Sequence, residues 1–305
     1  MRSDDPIPLI LGPTGVGKSR VAYELALRLK GAEILSADAR SIYRGMDIGT
    51  DKPPPEWHAH APHHLIDTKD PHELYNVMGF RRDAMHILEE IRHRGGRAIV
   101  VGGSTLYVEA LVGKLFEGPA ADPELRRRLR DSPLEELYEK LQRVDPQAAK
   151  RIHPHDPQRI VRALEVYELT GRPITELQHA ASLKTPYAFL KIGLRCERTL
   201  LHKRIDQRVD EMITRGLLEE ARDLQDRVPA GSQAYKSNGY REMFEHLEGK
   251  IPTVEEAIAL IKKRTRDHAR RQMVYFKRDP ETHWIDTTEK VTEQIVCEVL
   301  SLIEC

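Results

Sequence analysis

Gly12-Pro13-Thr14-Gly15-Val16-Gly17-Lys18-Ser19 decides the fold, with the apolar run Ile7 to Leu11 before it and a helical pattern from about Gly17 to Leu29 after it. The stretch fits the spacing G-x-x-x-x-G-K-[ST] and lies between a strand and a helix, the context in which that spacing carries meaning. Backbone N–H groups of such a loop converge on phosphate oxygens, and the helix N-terminus behind it adds positive potential. Lys18 is placed to neutralise the terminal phosphate, and the Ser19 hydroxyl to ligate Mg²⁺. The motif predicts a phosphate-bearing ligand without saying which one.

Working outward, a second apolar run, Ala32 to Leu35, ends in Ser36 and Asp38. His64 to Ile66 reads as a weaker third strand, and Ala98 to Val101 as a buried strand ending in Gly102 and Gly103. Val77, Phe80, Ala84, Ile87, Leu88 and Ile91 recur at helical spacing and predict an amphipathic helix over about 76–93. Short strands alternating with helices predict a parallel sheet covered on both faces. From about 120 to 187 the pattern is helical with no good strand, and Asp145-Pro146 and Asp156-Pro157 read as N-caps with proline at the first helical position. Ala188 to Leu194 resumes the strand pattern, and Trp284-Ile285 precedes a C-terminal helix. The expected fold is α/β: a P-loop NTPase-like parallel-sheet core, residues 1–119 and 188–305, interrupted by a helical insertion domain at 120–187.

Composition narrows the setting. A chain of 305 residues is long enough for one core plus an insertion. No stretch approaches the roughly 18 apolar residues of a membrane span, so no membrane partner is expected. MRSDDPIPLIL places acids ahead of a short apolar run, the wrong order for a secretory signal. Cys196, Cys297 and Cys305 make neither a disulfide framework nor a zinc knuckle, so the expected compartment is the reducing cytoplasm. His58, His60, His63 and His64 crowd one segment, but no cysteine or acid stands at a structural-zinc spacing from them.

Basic and acidic residues balance at 48 each, yet they are segregated. KKRTRDHARRQMVYFKR, from Lys262 to Arg278, holds eight bases and one acid. Further knots are Arg126, Arg127, Arg128 and Arg130, and then Arg159 and Arg162. Segregated strips can bind a polyanion because counterion release is local; the plainer reading is a solvated helix face. Asp38 lies just past the second strand, beside the phosphate loop, where open α/β sheets bind ligands. A carboxylate there serves as a general base, a magnesium partner or a cap for the following segment. The segment Val101-Gly102-Gly103-Ser104-Thr105-Leu106-Tyr107 leaves a strand end toward the same crevice.

Together GPTGVGKS, SADARSIYRGMDIGTDKP, FRRDA (80–84), VGGSTLY (101–107), ADPELR (121–126), RIHPHDPQRIVRALEVYELTG (151–171), GYRE (239–242) and TRDHARRQMVYFKR (265–278) resemble the tRNA dimethylallyltransferase family, also called tRNA isopentenyltransferase, in collinear order over nearly the whole chain. The resemblance implies that the phosphate loop takes dimethylallyl diphosphate rather than ATP, and that the dimethylallyl group passes to N6 of the adenosine just 3′ of the anticodon. It implies that Thr14 to Ser19 cradle the diphosphate, that Asp38 is the base on the adenine amino group, that Ser104 lies in the reaction channel, and that Arg208 reaches the diphosphate. The anticodon stem-loop would be held by Asp38-Ala39-Arg40-Ser41, Arg126, Gln158-Arg159-Ile160-Val161-Arg162, Lys236-Ser237-Asn238-Gly239-Tyr240-Arg241 and Arg270-Arg271-Gln272-Met273-Val274-Tyr275-Phe276-Lys277. A monomer with Mg²⁺ as its only cofactor is expected.

Several positions depart from the family pattern. Ala39 stands where serine is common, Ser41 where glutamine is frequent, Ser104 for threonine, Lys236-Ser237-Asn238 for Gln-Ala-Ile, and Tyr275 for tryptophan. Three rival readings share the loop or the basic strips. They are an isopentenyltransferase acting on free adenine nucleotides, a small-molecule kinase, which needs ATP and a phosphoryl acceptor, and a non-enzymatic RNA-binding module, which leaves the phosphate loop beside Asp38 without a purpose.

Overall fold

The computed structural model describes residues 5–180 and 183–304. Its strands are β1 (Ile7–Leu11), β2 (Ala32–Ser36), β3 (His63–His64), β4 (Arg97–Val101), β5 (Phe189–Arg195) and β6 (His283–Asp286). They form one sheet in the order β3-β2-β4-β1-β5-β6, and every pairing is parallel. Parallel neighbours need crossovers, which the helices supply. Before β5 these are α1 (Lys18–Arg28), α2 (Pro55–His60), α3 (Val77–His93) and α4 (Thr105–Leu111).

Side chains alternate across each strand, which splits the sheet's apolar residues between two cores. Leu9, Leu11, Leu35 and Val100 pack with Phe80, Tyr240 and Phe244. Ile10, Ile34, Ile99 and Val101 pack with Val21, Leu25, Val296 and Val299. Burial on both faces explains why these strands read as unbroken apolar runs. The expected third strand at His64 to Ile66 is shorter and earlier, because Leu65 and Asp67 turn into the left-handed region at φ 61° and 54° and end the extended chain. Asn76 starts α3 by accepting from the N–H groups of Met78 and Gly79 at 3.0 and 2.9 Å.

The chain divides into two compact units, one formed by residues up to Val112 and from Pro186 on, the other by Gly113–Thr185. The helical unit thus begins at Gly113, not at 120. Its entry segment has no periodic pattern of its own and is tied to the returning chain by Leu183 N–H donating to the Leu115 carbonyl at 2.6 Å. Among the described residues its helices are α5 (Pro123–Arg130), α6 (Leu134–Val144), α7 (Pro146–Arg151), α8 (Pro157–Thr170) and α9 (Ile174–Ala180). Asp122, Asp145 and Asp156 cap α5, α7 and α8 through their side chains, each followed by proline.

Inside this unit Glu165 is fully buried. It accepts from Arg126 Nε and Nη2 at 2.8 and 2.9 Å, from Arg162 Nη1 at 2.6 Å and from the Asp122 N–H at 2.9 Å. Burial alone would raise its pKa; the bonds to Arg126 and Arg162 more than offset that and hold it below the usual glutamate range. Removing both guanidiniums, Arg126→Ala with Arg162→Ala, strands a buried carboxylate, and we expect the unit to lose about 3 kcal/mol of stability in urea denaturation. Glu165→Gln, which leaves two partly exposed arginines free to hydrate, should cost clearly less; the reverse order would show that the arginines carry no structural weight.

After β5 the first unit continues with α10 (Arg198–Thr214), α11 (Leu217–Leu224), α12 (Tyr240–Leu247), α13 (Val254–Phe276) and α14 (Thr292–Glu304). The buried stripe of α13 is Ala257, Ile261, Thr265, Ala269, Gln272 and Phe276, a helical repeat with two polar members.

Candidate active site

The phosphate loop joins β1 to α1. Gly12 adopts φ 143°, and a Cβ there would lie 2.5 Å from the Leu194 carbonyl oxygen, so only glycine lets the loop leave the sheet at this point. Gly17, at φ 97°, opens α1 with no side-chain cap, which leaves the helix's first N–H groups to a ligand. Gln272 holds the loop from α13: its Oε1 accepts from Thr14 N–H at 2.9 Å, and its Nε2 donates to the Gly103 carbonyl at 2.7 Å. One amide thereby fixes the loops after β1 and β4 together.

Cations gather on this frame. Lys18 Nζ donates to the Pro13 carbonyl at 2.8 Å. Burial lowers its pKa to about 8, with Asp38 opposing the shift and Arg208 adding to it. Arg208, from α10, donates through Nη2 to Thr14 Oγ1 at 3.0 Å and through Nη1 to Asp51 Oδ2 at 3.2 Å, while its buried Nε has no partner. Asp51 belongs to a loop held from α11, where Glu220 accepts from the N–H groups of Asp47 and Ile48 at 3.1 Å. The Tyr240 hydroxyl donates to the same carboxylate and accepts from Gly49 N–H at 3.1 Å.

Asp38 follows β2 by two residues. Its Oδ1 accepts from the N–H groups of Arg40 and Ser41 at 2.7 and 3.3 Å, so it does cap the turn that follows the strand. Those bonds fix the carboxylate through one oxygen and do not use Oδ2. Two cavities meet here. One, about 350 Å³, runs from the phosphate loop past Asp51 and Lys52 to Trp57, with Ile34 and Ile66 in its wall. The other, about 210 Å³, is lined by Arg40, Val209, Met212, Ser237, Asn238 and His268 among others. Thr14, Lys18, Asp38, Thr50, Gly103 and Arg208 belong to the walls of both.

The other expected residues fall into three groups. Lys236, Ser237, Asn238, Gly239 and Gln272 line the smaller cavity. Ile160, Val161, Tyr240 and Phe276 are buried among apolar neighbours, so their side chains pack rather than contact a surface ligand. Ser41 is buried too, its hydroxyl 3.1 Å from that of Ser36, but it belongs to the wall of the larger cavity. Ser104 stands at the N-cap of α4 and lines neither cavity. Tyr275 donates its hydroxyl to Glu109. Arg241 pairs with Glu245 at 2.9 Å, and Arg159 with Asp156 at 3.5 Å.

The basic strip on α13 also divides. Lys262, Arg264 and Arg266 pair with Asp210, Glu242 and Asp206. Arg270, Arg271 and Lys277 are exposed and form no ion pair among the described residues.

Two residues escaped the sequence reading. Thr50 and His268 both line the Asp38 cavity. The signal for His268 was its place one turn before Gln272 on the buried stripe's side of α13, where a titratable ring is out of keeping with its neighbours. The crowded histidines bind within the protein: His63 Nδ1 lies 2.7 Å from the Ala61 carbonyl, His60 Nδ1 3.0 Å from that of Glu56, and His64 Nε2 2.7 Å from Glu33. Among the described residues no three His, Cys, Asp or Glu side chains could hold a metal ion, and no helix is long and apolar enough to cross a membrane.

Known proteins resemble this chain in sequence and in fold. Residues 41–279 match the family described as IPP transferase. The chain is 45 % identical over 294 residues to a tRNA dimethylallyltransferase of Geobacter metallireducens, covering 94 % of each, and 41 % identical to that of Geobacillus thermodenitrificans, covering 93 % of this chain and 91 % of the relative. Among solved structures it is similar to a tRNA isopentenylpyrophosphate transferase from Bacillus halodurans, with TM-score 0.73 and 37 % identity over 99 % of this chain and 97 % of that one. A eukaryotic dimethylallyltransferase captured acting on tRNA superposes with TM-score 0.82 and 27 % identity, covering 99 % of this chain and 80 % of that one. With the family's pattern spread over most of its length and relatives more than two-fifths identical along nearly all of it, the chain belongs to the IPP transferase family.

Proposed function

We propose that this protein transfers a dimethylallyl group from dimethylallyl diphosphate to N6 of the adenosine 3′-adjacent to the anticodon of tRNA, acting as a monomer in the cytoplasm. One observation carries the reading: the wall that holds Lys18 and Arg208 is also the wall that holds Asp38, between two cavities. A diphosphate donor in the larger and a flipped base in the smaller meet at that shared surface, and a base reacting at its amino group has to leave its stack to arrive there.

The exocyclic nitrogen is a poor nucleophile. As its lone pair attacks the allylic carbon, Asp38 Oδ2 takes the N6 proton and the carbon–oxygen electron pair leaves with the diphosphate. Lys18, Arg208 and the loop amides receive the charge that develops on the departing oxygens, and the unpartnered Nε of Arg208 is a donor waiting for such an acceptor. The donor set also fits Mg²⁺: Ser19 offers one hard oxygen at the start of α1, and diphosphate and water would complete the shell. Mg²⁺ bound there offsets diphosphate charge.

Incubating the protein with unmodified tRNA and either labelled dimethylallyl diphosphate or γ-labelled ATP tests this reading. Label from the prenyl donor should enter nucleosides and ATP should remain intact; robust ATP turnover stimulated by a small acceptor would make it a kinase.

The tRNA grip is assigned to the unpaired bases of α13, to Arg40, Gln158, Arg159 and Lys236, and to the helical unit. Arg270→Ala, Arg271→Ala and Lys277→Ala combined should weaken tRNA binding and flatten its salt dependence by up to about 2–3 units of log–log slope, while affinity for dimethylallyl diphosphate stays constant. An unchanged slope in filter binding across a salt series would return these residues to an ordinary solvated face.

A further inference from the structure

Several polar side chains of the smaller cavity have no partner among the described residues, and two of them, the half-buried His268 and the buried Ser237, stand out beside the half-buried Asn238 and the exposed Lys236. His268 lines it from α13, and neither ring nitrogen hydrogen-bonds to another of the described residues. Ser237 lines it from the segment before α12; the residue is 1 % exposed, and its Oγ is buried with no partner. The Ser237 hydroxyl is buried without a partner and the His268 ring is half-buried with none among the described residues, so both are open to a partner that arrives with the ligand. Gln272, by contrast, has its amide engaged on both sides.

The chemistry of the ring narrows the ligand group. Burial and the Arg271 guanidinium depress the imidazolium; Asp38 pulls the other way, and Lys18 and Arg40 add to the depression, leaving a pKa of about 4. The ring is therefore neutral in ordinary buffers, with one N–H donor and one acceptor nitrogen. Asp38, in the same wall, accepts from an amino group. Adenine presents beside its N6 amino group two ring nitrogens that only accept, N1 and N7. A carboxylate for the amino group and a neutral N–H for the adjoining nitrogen form the complement of that edge.

We infer that His268 contacts the substrate base directly, its neutral imidazole N–H donating to a ring nitrogen that flanks N6, with the Ser237 hydroxyl as a second contact on the same base. The inference rests on the prenyl transfer proposed above and adds the means by which adenine is read.

The test is a substrate–enzyme cycle under single-turnover conditions. Anticodon stem-loops carrying adenosine, 1-deazaadenosine or 7-deazaadenosine at the target position are offered to the wild type, His268→Phe, His268→Gln and Ser237→Ala. His268→Phe should slow transfer to the adenosine loop about tenfold, the loss expected for one hydrogen bond. On one of the two deaza loops it should cost nothing further, because the contact is already gone. Comparing enzymes on the same substrate cancels the effect of the deaza change on N6 reactivity. His268→Gln, which keeps a donor, should recover most of the rate, and Ser237→Ala should lose about threefold. Binding of dimethylallyl diphosphate and the melting temperature are measured for every variant; if His268→Phe is misfolded, the same cycle run with His268→Asn decides. Transfer by His268→Phe at the wild-type rate, or equal losses on all three loops, would overturn the assignment and leave the prenyl transfer standing. No transfer by the wild type to the adenosine loop would overturn both.

Discussion

Asp38→Asn is expected to slow prenyl transfer by roughly 10²–10⁴-fold in single turnover, the range for a lost general base, with the fold and both binding equilibria nearly intact. The geometry makes this substitution clean. Asparagine keeps a carbonyl oxygen where Oδ1 accepts from the Arg40 and Ser41 N–H groups, so the turn after β2 survives. What it removes is the basic oxygen that those bonds do not use. Asp38→Ala gives up the turn as well, and its melting temperature should fall where that of Asp38→Asn does not. A near-normal rate for Asp38→Asn would reduce Asp38 to the cap it also is, and the base would have to be sought elsewhere on the cavity wall.

Lys18→Ala should act on both binding and turnover. Removing a charged donor from the leaving group costs about 10²–10³-fold in turnover, and dimethylallyl diphosphate should bind roughly 10- to 100-fold more weakly, the worth of one charge-assisted bond. The lowered pKa adds a signature in pH. Without ligand the ammonium titrates near 8, held down by burial and by Arg208 against Asp38; bound diphosphate raises it. Below about pH 8 Lys18 is charged before the ligand arrives, and its contribution to affinity is complete. As pH rises through that value the free protein loses the proton, binding must take it up, and affinity falls by at most about tenfold per unit until the bound form also titrates. Titration calorimetry at pH 9 in two buffers of different ionisation heat should therefore register proton uptake by the wild type and less by Lys18→Ala. Equal uptake by the two proteins would place the titrating group elsewhere.

Much of this was legible in the sequence, and for definable reasons. The phosphate loop is a local motif whose flanks state their own context, so β1 and α1 needed nothing from distant residues. Strands buried on both faces announce themselves as apolar runs, and the Asp145-Pro146 and Asp156-Pro157 caps are set by neighbours within one turn. The contributions from far along the chain were not legible. Arg126 and Arg162 read as part of basic knots, but Glu165, which lies across the helical unit from Arg126, accepts both. In the same way Lys262, Arg264 and Arg266 are matched by acids on α10 and α12, and Lys263, Arg270, Arg271, Lys277 and Arg278 remain for a polyanion. Charge in a sequence is a list of signs; which signs cancel depends on tertiary pairing. His268 was missed for a related reason: its place on the buried side of α13 is visible in the sequence, but whether the ring packs or faces a cavity is not.

The Gln272 bridge has a consequence for heredity. The position asks for a planar group offering one donor and one acceptor, at the end of two methylenes, to carbonyl and amide partners that cannot trade roles. Glutamate has the reach but no N–H for the Gly103 carbonyl, lysine has no acceptor for the Thr14 amide, and asparagine falls a methylene short. Histidine, a single nucleotide away, carries a donor and an acceptor on its neutral ring, but on one methylene and at a spacing that does not match the two partners. Lineages descending from this chain are therefore expected to keep glutamine at position 272.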